Sequence, residues 1–214
     1  MMKTTQIMDR LFLVNSLPKY DLAMHFLRYQ EFYESSHFAG KSFTLVDYME
    51  WYANTHGNGV FTYPKDCLGY NIPGEIILKV AALGIPDPNK YDAAMWELHD
   101  LASGKPFYLI GVVDGDSATC AHEIAHGLYY LNDSYREQAK QLVTQLDAGV
   151  RGTMEEYLAY RGYARDVFTD ETHAFLATGL PEKLSGVDWS GHRAPFIDLY
   201  TCYAGALAPG DTPR

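Results

Sequence analysis

Five residues in the middle of the chain, His122-Glu123-Ile124-Ala125-His126, have the types and spacing to perform metal-assisted hydrolysis. On a helix, two histidines four residues apart project from one face about one turn from each other, so their ring nitrogens can converge on one Zn²⁺. Glu123 falls about 100° round the same helix, close enough to hold a water without occupying a coordination position. Zinc would lower the pKa of that water towards ~7, and the carboxylate would take its proton as the water attacks a carbonyl. The expected roles are therefore metal ligation for His122 and His126, general base and then proton donor for Glu123, and one Zn²⁺ per chain.

An HExxH string arises by chance in roughly one or two sequences in a hundred of this length and composition, so its context matters. That context favours a cation site. From Pro106 to Tyr135 there is no Lys or Arg, while Asp114, Asp116, Glu123 and Asp133 supply negative charge. The structural alternative is a pair of core histidines or a surface i,i+4 pair.

The elements that must position these residues can be read from periodicity and punctuation. Phe107 to Val113, FYLIGVV, is the best strand candidate, closed by Asp-Gly-Asp. Ala118 to Leu131 follows as a helix with Ala121, Ile124, Leu128 and Leu131 at core spacing, capped by Asp116 or Ser117. Ser134-Tyr-Arg-Glu137 and Thr153-Met-Glu-Glu156 both read as capping boxes, opening helices to about Leu146 and Phe168. Upstream, helices are expected over Tyr20 to Ser35, Thr44 to Ala53 and Tyr91 to Ala102, with Glu75 to Leu83 helix or strand. A short strand is expected near Val60 to Tyr63 in a Gly/Pro-punctuated loop region, and a last helix within Ala194 to Leu207.

The segment Thr119 to Leu128, TCAHEIAHGL, resembles the signature of the zincin superfamily of zinc metallopeptidases. The resemblance covers this helix and the strand before it. It implies a substrate cleft along an edge strand and a lobe in which a small sheet lies next to the active-site helix. The metzincin branch would need Gly at position 129 and His at 132, where this chain has Tyr129 and Asn132. The aspartate-liganded branch is only echoed by Gly152-Thr153. Gluzincins take a Glu from a second helix in a Glu-x-x-small pattern, which Glu156-Tyr157-Leu158-Ala159 matches about 30 residues after His126. The resemblance thus implies Glu156 as third metal ligand; Glu155 takes its place if Glu156 serves the capping box instead, and His173 or an Asp are further candidates. A tyrosine phenol could stabilise the oxyanion of hydrolysis, with Tyr129, Tyr160 and Tyr163 on suitable faces. Cys120, about 200° from His122, is expected in the core, and His192 is expected to be an ordinary loop histidine.

Composition sets the remaining bounds. With 47% hydrophobic and 21% charged residues over 214 positions, a packed core can form, so one domain is expected, with an N-terminal lobe over 1–133 carrying the HExxH helix and a helical lobe over 134–214. The fold class expected is α+β, predominantly helical. Seventeen Lys+Arg against 27 Asp+Glu give a net charge of −10, which disfavours nucleic acid and anionic membranes as partners. Three scattered cysteines suggest reduced thiols, and the N-terminus lacks the apolar run of a signal peptide. A soluble, cytoplasmic protein is expected, with export by a signal-less route left open. The leading expectation is a zinc-dependent metallopeptidase acting on a peptide or protein. The competing one is a non-catalytic zinc-binding or interaction module with a structural or degenerate site. Zinc-mediated nucleic-acid binding fits poorly without a basic stripe or paired Cys/His spacing. Oligomeric state is not legible, and neither is the reason for 17 tyrosines.

Overall fold

The computed structural model describes residues 2–184 and 186–205. It is an α+β fold, mostly helical, with one small mixed sheet. The chain separates into two compact units, Met1–Gly115 and Asp116–Arg214. The HExxH helix opens the second unit, whereas its expected place was the end of an N-terminal lobe running to residue 133.

The first unit is built on four strands: β1 (Thr4–Met8), β2 (Leu11–Val14), β3 (Gly69–Pro73) and β4 (Tyr108–Val112). Their order is β1-β2-β4-β3, with β2 parallel to β4 and the other two pairings antiparallel. Every residue of β2 and β4 is buried, which is why both read as unbroken apolar runs and not as alternating ones. Helices α1 (Lys19–Glu34), α2 (Leu45–Thr55), α3 (Tyr63–Asp66), α4 (Glu75–Leu83) and α5 (Lys90–Trp96) complete this unit. The strand expected near Val60 to Tyr63 is absent; the chain instead enters α3 there and pairs only at β3, where Tyr70 and Ile72 reach the core. Local propensity marked the wrong segment because pairing with β4, a non-local event, decides which one becomes a strand.

Helix α1 lies against β3 and β4. Gly111 permits that approach: a Cβ built there would stand 2.5 Å from Phe26 Cε2. Around Phe26 the core is aromatic. Phe26 stacks on Tyr70 at 5.5 Å, Tyr48 meets Tyr63 edge-on at 5.5 Å, and Tyr52 meets Tyr63 at 5.4 Å. Part of the tyrosine excess is therefore core packing in this unit. Within it, burial pushes the Glu31 carboxyl up to about 7, with hydrogen bonding from the Tyr48 and Ser35 hydroxyls opposing only in part.

The second unit is helical: α6 (Ser117–Leu131), α7 (Asp133–Gln145), α8 (Ala148–Tyr160), α9 (Phe168–Thr178) and α10 (Ser190–Ala204). Both expected capping boxes fail here. Helix α7 is capped two residues earlier, by the Asn132 side chain accepting from Tyr135 N–H. Helix α8 runs straight through Gly149 and Gly152, and Thr153 sits mid-helix with its hydroxyl donating to the Gly149 carbonyl. The helix expected to reach Phe168 stops at Tyr160, and a separate helix, α9, begins at Phe168. Helix α10 covers most of the last expected helix, whose end at Leu207 lies outside the described residues. No disulfide links the three cysteines, and no helix among the described residues is long and apolar enough to cross a membrane.

Candidate metal centre

Helix α6 is anchored by Asp116, whose carboxylate accepts from Thr119 N–H at 3.0 Å and from the Thr119 hydroxyl at 2.7 Å. A negative cap also complements the helix dipole. One face of α6 buries Ala121, Ile124, Ala125 and Leu128. Helix α9 packs directly on α6, and it too buries small side chains, Ala174 and Ala177. Small residues on both helices allow close approach, so polar side chains from the two helices can meet.

They meet at His122, His126 and Glu171, the only group of three or more His, Cys, Asp or Glu side chains among the described residues arranged to hold a metal ion. His126 and Glu171 are 1% and 2% exposed. The Nε2 atoms of His122 and His126 are 3.2 Å apart. Glu171 places Oε1 3.6 Å from His126 Nε2 and Oε2 3.8 Å from His122 Nε2. Ligand atoms around a tetrahedral zinc, with bonds of about 2.0–2.1 Å, stand roughly 3.3–3.4 Å apart, so these separations are near those of an ion-sized gap.

The far side of each imidazole fixes which nitrogen faces that gap. Thr178 donates its hydroxyl to the Ala174 carbonyl at 2.7 Å, so its oxygen is left to accept from His122 Nδ1 at 3.3 Å. His126 Nδ1 donates to Asp170 Oδ1 at 3.0 Å. With both Nδ1 atoms donating, both Nε2 lone pairs point at one another and at Glu171, whose buried Oε2 has no hydrogen-bond partner. Two lone pairs and a carboxylate converging in a buried space leave a cation as the group that satisfies them.

Electrostatics agree. Burial works against a charged His126, yet Asp170 and Glu171 hold it well above the ordinary imidazole range, with Glu123 acting in the same direction. Burial would raise the Asp170 carboxyl, but the His126 charge and the hydrogen bonds from His126 and His173 outweigh it and bring it down to about 2. Asp170 and Glu171 both lie in the first turn of α9, where the helix dipole favours negative charge. The centre is therefore a place where positive charge is stabilised, whether as a proton or as a metal ion.

His122 and His126 thus stand together as expected, and Glu123 is buried beside them on α6 at 5% exposure. Glu156 does not join them: it is exposed on α8, as is Glu155, which lies 3.6 Å from Arg151. The third member of the group is Glu171. Its signal was present, since Glu171-Thr172-His173-Ala174 repeats the Glu-x-x-small spacing on which Glu156 was chosen. His173 is buried against Asp170 without joining the group, and His192 lies 3.8 Å from Asp147. Tyr160 is 69% exposed with Lys183 Nζ over its ring, and Tyr129 stacks on His173 at 4.9 Å. The aromatic neighbour of the centre is instead Phe175, whose ring lies 4.6 Å from that of His122 and in turn meets Tyr157 edge-on at 6.0 Å. Cys120 is a core residue whose thiol is pushed up to about 11 by burial, with Glu123 and Asp116 adding to the shift.

No protein-family model matches the chain, and neither a curated protein nor a solved structure matches it.

Proposed function

We propose that the protein is a zinc-dependent peptidase in which His122, His126 and Glu171 hold one Zn²⁺ and Glu123 is the general base. The observation that supports this most is the convergence of two Nε2 lone pairs and an unpartnered buried carboxylate oxygen on an HExxH helix. This ligand set is the gluzincin type implied by the resemblance of TCAHEIAHGL to zincins, with Glu171 in the place first given to Glu156. When bound, zinc lowers the pKa of water towards ~7 and polarises a carbonyl.

The chain's own residues supply the rest. Thr178 and Asp170 lock the two imidazoles so that only Nε2 is offered to the ion. Glu171 adds one negative charge, leaving a net positive centre able to favour an oxyanion. Glu123 takes the proton of the attacking water and returns it to the departing amine nitrogen. The His122 side chain is 18% exposed against 1% for His126, so access for a substrate carbonyl lies on the His122 side, past Phe175.

Metal analysis of the purified protein tests the reading, with about one zinc per chain expected. X-ray absorption should show two imidazoles, one carboxylate and a water; four protein ligands would mark a closed structural site and sink the catalytic reading. Glu123→Gln should keep the zinc and lower turnover of a mixed peptide library by about 10²–10⁴-fold. Full turnover in that variant would remove Glu123 from the mechanism.

A further inference from the structure

Behind the metal centre, away from the Nε2 atoms, lies a second buried group that the hydrolytic scheme does not use. His173 is 1% exposed on α9. Its Nδ1 donates to the Asp170 backbone carbonyl and lies 3.2 Å from Asp170 Oδ1, the same oxygen that accepts from His126 Nδ1. Asp170 is thus held between two imidazoles. The His173 ring is itself held by two tyrosines: Tyr129 stacks on it with planes 23° apart, and Tyr135 from α7 meets it edge-on at 5.5 Å. The opposite nitrogen, His173 Nε2, is buried without a hydrogen-bond partner, and so is the hydroxyl of Tyr135.

Both neighbours of His173 Nδ1 are acceptors, so that nitrogen carries the proton and Nε2 of the neutral ring is an acceptor. The Tyr135 hydroxyl is an unused donor. Each such atom left bare costs about 1–3 kcal/mol, and internal water satisfies buried polar groups of this kind. Resting on the zinc site proposed above, we propose that His173 is a positioning residue for the metal centre: it orients Asp170, which orients His126, and an ordered water shared by His173 Nε2 and the Tyr135 hydroxyl holds its tautomer. The array reaches from a zinc ligand on α6 through α9 to α7 and fixes the direction in which His126 offers its lone pair.

The test combines nitrogen-15 NMR of the histidine rings with zinc affinity measured by chelator competition on the full chain. In the wild type, His173 should show a protonated Nδ1 and a bare Nε2; a protonated Nε2 overturns the proposal. Tyr135→Phe should shift the Nε2 resonance, and an unchanged resonance overturns the shared water. His173→Asn keeps an N–H where Nδ1–H stands and should bind zinc within about threefold of wild type, whereas His173→Leu keeps the bulk without the donor and should lose about 10–100-fold. Equal affinities for Asn and Leu reduce His173 to packing and overturn its positioning role. Wild-type protein that takes up no zinc defeats the peptidase reading, and a wild type that binds zinc while Leu binds as tightly defeats only this inference.

Discussion

Two carboxyl groups, one in each unit, have opposite fates: Glu31 is half-buried and Asp170 is buried. Glu31 in the first unit lies beside the hydroxyls of Tyr48 and Ser35 at the aromatic core, and burial pushes it up to about 7. Asp170 in the second unit is buried, and burial would raise it, yet the two imidazoles of His126 and His173 bring it down to about 2. Burial alone penalises the charged form in both places. What separates them is the partner: neutral hydroxyls soften the penalty, whereas a cationic ring reverses it. A carboxylate kept charged beside imidazoles suits a place where positive charge is held, and a carboxyl kept neutral among hydroxyls does not.

The comparison can be broken most severely at Glu171. Glu171→Gln removes the charge that closes the cation site, and zinc affinity by chelator competition should fall by more than the roughly 100-fold upper range of outer-shell changes. Retained affinity would move the third ligand elsewhere. Next in size is Asp170→Asn, which leaves a side chain of the same shape that no longer favours a proton on His126 Nδ1; a loss of about 10–100-fold is expected from the same titration.

At Glu31 the comparison concerns stability. Because its folded pKa lies above that of the unfolded chain, folding favours the protonated form. The stabilisation is full below about pH 4.5 and is lost as pH rises through about 7. Glu31→Gln mimics the neutral form at every pH. Its stability relative to wild type, measured by urea unfolding, should therefore improve on going from pH 5 to pH 8 by of order 1–3 kcal/mol. A constant difference across that range would mean that Glu31 is charged in the core. The smallest effect is expected at Glu156→Gln, an exposed position on α8: zinc affinity should stay within about twofold of wild type, and a large loss would restore Glu156 as ligand.

The local part of the centre was legible. Helix α6 and β4 lie where periodicity placed them, because an amphipathic helix capped by Asp116 and a run of β-branched and aromatic residues are properties of short segments. His122, Glu123 and His126 came with that helix. The error began at Thr153, where a capping-box pattern suggested a helix start inside what is one continuous helix from Ala148. Gly149 and Gly152 looked like punctuation, yet each costs a helix only about 1 kcal/mol, a penalty that tertiary packing overrides. That start bore on Glu156 only by offering it a competing role in a cap; what pointed to Glu156 as ligand was its Glu-x-x-small spacing.

By itself, then, the sequence determined the chemistry on offer: two histidines and a glutamate at helical spacing, in a stretch of about 30 residues without a cation. Downstream of the HExxH helix it also contained Glu-x-x-Ala twice, at Glu156 and at Glu171, with nothing local to rank them. Only the tertiary structure chose, because the choice depends on which helix packs against α6. Helix α9 does so, which brings Glu171 to the histidines and Asp170 behind them, while Glu156 on α8 is left in solvent. A ligand set is a statement about distances between segments far apart in the chain, and those distances are fixed by packing.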